Sequence, residues 1–247
     1  MAANPTTSAH PAVAQSQSSL SGRIPPWGQI LVILAPWPII KSIPGVPFSG
    51  QLYIFVALIT ATWFVRQDGQ TWRDLGLRWA SSWQDYAKGA AMVVVTIVAA
   101  VVASAAVQYA ILAVTGAPAE RTFYDVSTLP LYLTMMALIW TTNAFGEEMV
   151  FRGLIMSRFA TMFGGTRIGW ILAAFAQAAV FGAGHAGQGI HGVIITGFVG
   201  LAFGLLYLIA RRNLWPMIIA HGIINTIGMT VLHLQSTGVI AAGNPIG

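Results

Sequence analysis

Residues Gly89–Val114 read GAAMVVVTIVAAVVASAAVQYAILAV, twenty-six residues without one charged side chain. A bilayer core about 30 Å thick needs roughly 20 apolar residues in helical form, so this stretch by itself predicts a membrane-spanning helix. Working outward, six further apolar runs follow the same reading: Trp27–Ile43, Phe48–Val65, Leu129–Phe145, Ile168–Gly184, Ile190–Ala210 and Leu214–Leu234. The first is short and contains Pro36 and Pro38, which interrupt a helix. Gly153–Phe163 is the place for an additional element, although its eleven residues are too few to span. The expected fold is all-α, a polytopic transmembrane helical bundle of about seven to eight membrane helices.

Composition supports that class. Only 8% of the 247 residues are charged, 56% are hydrophobic, and mean hydropathy is +0.70. A soluble domain carries about a quarter charged residues, so this chain cannot cover a water-facing surface. The net charge of +5 does not indicate a nucleic-acid partner, because Lys and Arg fall between the apolar runs and not along one face. The absence of cysteine excludes disulfides, thiolate metal sites and cysteine nucleophiles.

Residues 1–22 are rich in Ser, Ala, Gln, Thr and Pro, with neither a basic start nor an apolar run. A disordered tail is expected there, not a secretory signal. Residues 23–128 would hold the N-terminal membrane helices and an amphipathic loop, 129–234 a membrane core carrying the chemistry, and 235–247 a short C-terminal tail. The loop from Arg66 to Lys88 interleaves charge with Trp72, Leu75, Leu77, Trp79, Trp83 and Tyr86, as expected of a segment lying at headgroup depth.

Loop charge orients the chain. If seven runs alternate, one side collects Arg23, Arg66, Arg73, Arg78, Lys88, Arg152, Arg158, Arg167, Arg211 and Arg212, and the other only Lys41 and Arg121. Positive residues stay on the cytoplasmic side. The expectation is an integral protein of a bacterial plasma membrane, with its N-terminus cytoplasmic and its C-terminus outside.

Ionisable residues at membrane depth are costly, and each is a functional hypothesis. The fourth run leads into Phe145-Gly146-Glu147-Glu148-Met149-Val150-Phe151-Arg152. Glu148 and Arg152 are four apart and can pair on one helix face. Glu147 lies about 100° around an α-helix from that pair, which leaves it free to take a proton as a general base. A plain interfacial ion pair with one spare carboxylate explains the same residues. The fifth run ends with Phe181 and His185, and the seventh carries His221 and Asn225, again four apart. Either histidine alone reads as a packing residue. Gly200 and Gly204 on the sixth run form a close-packing pair.

Together the clusters are far more specific. Glu-Glu-x-x-x-Arg, Phe-x-x-x-His and His-x-x-x-Asn, in that order on successive apolar runs, resemble the motifs of the CPBP intramembrane proteases. That family includes the type II CAAX prenyl endopeptidases and bacterial proteins linked to bacteriocin self-immunity. The resemblance spans about Leu129–Leu234, and Asp74-Leu75-Gly76-Leu77 is also similar to the family. It implies that Glu147 is the general base activating a water, with His185 helping to hold that water. Glu148 would orient the site through Arg152, His221 and Asn225 would stabilise the oxyanion, and Phe181 would pack beside the site as a substrate-binding residue. The implied substrate is a membrane-associated peptide or protein, including prenylated CAAX types, met within the lipid bilayer.

Zinc is the alternative cofactor reading. Glu147, His185 and His221 supply an oxygen and two nitrogens, a ligand set known from catalytic zinc sites. Against it, no His-Glu-x-x-His occurs, and Asn225 is a good hydrogen-bond donor but a poor zinc ligand. A metal-free glutamate mechanism is favoured, although the family carries a metalloprotease name. Two rival functions use the same residues differently: a non-enzymatic immunity or scaffold protein, and a proton-coupled transporter. One feature fits poorly. At about 1.5 Å per residue, Glu147 lies ~16 Å before Arg158 and His221 ~13 Å after Arg212, but His185 lies ~27 Å beyond Arg167.

Overall fold

The computed structural model describes residues 23–45, 48–116 and 125–241. The expected tail over residues 1–22, Arg121 and the last six residues therefore lie outside the described part. Among the described residues every regular element is helical. In chain order these are α1 (Pro26–Leu34), α2 (Pro36–Ser42), α3 (Ser49–Gln67), α4 (Trp83–Thr115), α5 (Leu129–Leu138), a π-helix (Ile139–Ile155), α6 (Met156–Met162), α7 (Arg167–Ala183), a short 3-10 turn (Ala186–Gln188), α8 (Gly189–Ile209) and α9 (Leu214–Ser236).

Three helices are long and apolar enough to cross a membrane by length and composition: α4, α8 with its preceding turn, and α9. Together with the apolar composition they make this an integral membrane protein. The valines of α4 show why. Val94, Val98, Val101 and Val102 stay exposed, while Val93, Thr96, Ala100 and Ile111 are buried. An apolar face this long is at rest against lipid, not water.

The remaining runs depart from the sequence expectation in instructive ways. The first is broken at Ala35–Pro36 into α1 and α2, because a proline inside a helix removes a donor and clashes one turn back. The fourth run does not stop at Phe145. α5, the π-helix and α6 form one continuous rod from Leu129 to Met162, so Gly153–Phe163 is not a separate eighth element. Its start is set by Thr128, whose hydroxyl accepts from Leu131 N–H, with Pro130 in the first turn. Caps of the same kind open α4 at Ser82, α7 at Thr166 and α9 at Asn213.

The rod is the centre of the fold. Gly146 to Arg158 are all buried, and the rod separates two apolar clusters. Met149 and Met156 pack with Phe203, Leu214 and Met217 of α8 and α9. Val150, Phe151, Leu154 and Ile155 pack with Tyr53, Ile54, Phe64 and Phe181 of α3 and α7.

Two polar contacts tie the loops to this core. Arg158 points inward: its guanidinium bonds Asp68 at 2.8 Å, Gln29 at 2.7 Å and Gln70 at 3.2 Å. The Asp74–Leu77 loop docks on the α8–α9 turn. Leu214 N–H donates to Gly76 O, Tyr207 Oη to Leu75 O, and Arg78 Nη2 to Arg211 O. Gly76 has φ +103°, and a Cβ there would stand 2.1 Å from Arg212 O, so only glycine fits. In the same loop, two hydrogen bonds from Thr71 hold the Asp74 carboxyl below its usual range.

Candidate active site

Glu147 and Glu148 arise in the π-helical part of the rod, where each N–H reaches the carbonyl five residues back. The wider turn replaces the 100° step of an α-helix, and such turns recur at functional sites. Gly146 lets α3 approach here, since a Cβ on it would meet Ile54 Cγ2 at 2.6 Å.

Glu148 is fully buried and takes two partners. Arg152 Nη1 lies 3.0 Å from its Oε1, and His221 Nδ1 lies 2.8 Å from the same oxygen. The spacing of Glu148 and Arg152 anticipated the first contact; the second joins residues 73 apart. Arg152 is itself held in an aromatic sandwich. Its Cζ stands 4.5 Å from the Phe181 ring and 5.2 Å from the Phe203 ring, and Nη2 donates to Gly200 O at 3.4 Å. A delocalised guanidinium between two ring faces is favourable when water is excluded.

Among the described residues Glu147 makes no ion pair or hydrogen bond with Arg152. Its Oε2 faces His221 Nε2 across 4.0 Å, and its Oε1 accepts from Asn143 Nδ2 at 3.3 Å. Asn143 was missed in the sequence, although its position four residues before Glu147 is the signal. Glu147 also lies within the electrostatic reach of His185. His185 follows the end of α7, its Nδ1 donating to Phe181 O at 2.8 Å, which leaves Nε2 free. Asn225 is half-buried one turn beyond His221 and makes no hydrogen bond among the described residues. Phe181 is buried against Phe151, Arg152 and His185.

The depth discrepancy has a structural reason. Arg158 is paired inside the protein. The rod continues to Met162, four residues past Arg158, so Glu147 stands farther from the turn than its distance to Arg158 implies. That narrows the difference from the ~27 Å separating His185 from Arg167. Gly164 and Gly165, with φ +82° and +67°, make the tight reversal between them.

Among the described residues no three potential ligand side chains converge to hold a metal ion. The Nδ1 atoms of His221 and His185 are held by Glu148 and by Phe181 O, which leaves both Nε2 atoms as the nitrogens that would meet a metal. No step below passes through a metal.

An all-helical membrane protein whose helices bury a carboxylate–imidazole–carboxylate cluster is the class that fold and site define. Residues 129–227 match the family model of the Type II CAAX prenyl endopeptidase Rce1-like proteins, which is a family of peptidases and the one the motifs resemble. The matched segment runs from the first residue of α5 to the middle of α9, and it contains Glu147, Glu148, Arg152, Phe181, His185, His221 and Asn225. No curated protein and no solved structure matches the chain.

Proposed function

We propose that this protein is an intramembrane endopeptidase that cleaves membrane-associated, CAAX-type substrates with a glutamate-activated water. The observation that carries the reading is Glu147 Oε2 standing 4.0 Å from His221 Nε2 while Glu148 grips the other imidazole nitrogen. One water oxygen about 2.8 Å from each group spans that separation. Glu147 takes a proton from this water, and the oxygen attacks the scissile carbonyl carbon. The proton then passes to the leaving nitrogen as the C–N bond breaks, which regenerates the carboxylate. The Nδ1–H of His221 is fixed by Glu148, much as a buried carboxylate orients a catalytic imidazole elsewhere. His221 donates to the oxyanion from Nε2 only as imidazolium, and the unpaired Asn225 amide supplies a second donor. His185 Nε2 helps to hold the water.

The site would open toward the cytoplasmic side of a chain that crosses the bilayer seven times, with α1 and α2 counted as one crossing. The contacts of Arg158 with Asp68 and of Arg78 with Arg211 support this topology, since they gather basic loops at one end. The test compares purified wild type with Glu147→Gln in lipid nanodiscs on a library of membrane-anchored peptides, prenylated and unprenylated. Cleavage by wild type and none by the folded variant is the expected result. A folded, inactive wild type would turn the reading toward an immunity or transport protein.

A further inference from the structure

The motifs leave one buried polar side chain without a role. Gln177 of α7 has no exposed surface, and neither its Oε1 nor its Nε2 makes a hydrogen bond among the described residues. An unpaired amide in an apolar interior is costly, and its retention needs a reason.

Its position supplies one. Gln177 and Phe181 are one α-turn apart on the same face, as are Gly200 and Gly204 on α8. The two helices pack along these residues: a Cβ on Gly200 would meet Phe181 at 2.9 Å, and one on Gly204 would meet Gln177 Oε1 at 3.4 Å. Arg152 is held at the Phe181–Gly200 level. Gln177 therefore lies one turn along α7 from the ring that stacks on Arg152, an axial step of about 5.4 Å. One water bonded at about 2.8 Å to each partner bridges a gap of that order. The Glu148–Arg152 pair is also incomplete, because Arg152 Nε and Glu148 Oε2 are buried without partners among the described residues. A buried donor, a buried acceptor and a buried amide that is both, none of them partnered among the described residues, are the groups a structural buried water serves.

We propose that Gln177 is a positioning residue that binds an ordered water against the Glu148–Arg152 pair and thereby fixes the carboxylate that grips His221. The kinetic consequence rests on the peptidase reading; the water-bridged coupling does not. Thermal unfolding in nanodiscs is measured for wild type, Gln177→Met, Arg152→Met and the double variant. Methionine keeps the volume and removes both polar atoms. With a bridge, Gln177→Met lowers Tm in wild type, where Arg152 loses its link. The same substitution raises Tm beside Arg152→Met, where it removes an amide with nothing left to serve. A merely orphaned glutamine gives a rise in both backgrounds, which overturns the proposal, as do additive shifts. Should Arg152→Met fail to fold, a rise in Tm for Gln177→Met alone is enough to overturn it. Given wild-type turnover, Gln177→Met also lowers kcat by about ten- to a hundredfold with KM unchanged, as displaced catalytic geometry does. Unchanged kcat beside opposite-signed Tm shifts overturns the positioning role. Absent turnover in wild type indicts the peptidase reading, and the Tm cycle still decides the coupling.

Discussion

His221 Nδ1 lies 2.8 Å from Glu148 Oε1, on helices whose residues are 73 apart in sequence. Glu148 is thus the hinge between a buried cation, Arg152, and the imidazole that faces Glu147. Glu148→Gln is expected to leave Arg152 as an unpaired buried charge and to cost about 3–5 kcal/mol of stability. Replacing Glu148 with Gln and Arg152 with Met together should recover much of that stability. Activity should stay lost, since His221 remains ungripped. Melting in detergent beside initial rates separates the two effects, and a stable Glu148→Gln protein with a catalytic defect alone would contradict this assignment.

Gly200 should tolerate a methyl group far less well than Gly204. A Cβ at Gly200 would press on Phe181 Cδ1 at 2.9 Å, against a ring that is buried and stacked on Arg152, whereas at Gly204 it meets Ala174 Cβ at 3.3 Å. Overpacking of this kind costs about 1–3 kcal/mol. Gly200→Ala is expected to lower both Tm and turnover, and Gly204→Ala to have the smaller effect on each. Equal effects would mean that α7 and α8 slide to absorb the methyl.

Arg158→Ala should destabilise the fold without touching the chemistry. The change takes the guanidinium from Asp68, Gln29 and Gln70 and leaves Asp68 only the Gln29 amide, and the loss of one partner from a largely buried pair costs on the order of 3 kcal/mol. Unfolding temperature should drop, while turnover per folded molecule stays at the wild-type level. A catalytic defect without a drop in stability would give Arg158 a different role.

A strong chelator is expected to leave turnover within about twofold of the untreated rate, a change worth less than 0.5 kcal/mol. Elemental analysis of the purified protein provides the independent check. Stoichiometric zinc, lost together with activity and restored with it, would replace the glutamate–water mechanism with a metal one.

Topology reporters give the fifth test. A reporter fused after Gly247 should lie outside the cell and one inserted near Lys88 in the cytoplasm, in line with the positive-inside bias. Reporters on the same side would change the number of crossings, and the short pair α1 and α2 would be the first segment to reconsider.

Much of this molecule was legible along the chain. The apolar runs marked helices because burial in lipid or protein needs only local composition. Glu148 and Arg152 declared their pairing because a helix brings residues four apart onto one face. The boundaries of Arg167–Ala183, Gly189–Ile209 and Leu214–Ser236 fell within two residues of the expected runs, since caps and glycines are local signals. The rod from Leu129 to Met162 was less legible. Its polar half breaks the apolar pattern, and only packing on all sides keeps Glu147 to Arg158 helical and buried.

The sequence by itself determined that the chain is helical, membrane-embedded and equipped with two glutamates, an arginine, two histidines and an asparagine in a recognisable order. Tertiary structure alone decided what those groups face. It put His221 between both carboxylates, made Arg158 a buried partner of Asp68, and set Phe181 and Phe203 about Arg152. The physical reason is range. Helical periodicity fixes relations within one turn, whereas the nitrogen a histidine presents depends on a helix that returns 73 residues later, and that return is set by how whole apolar faces pack.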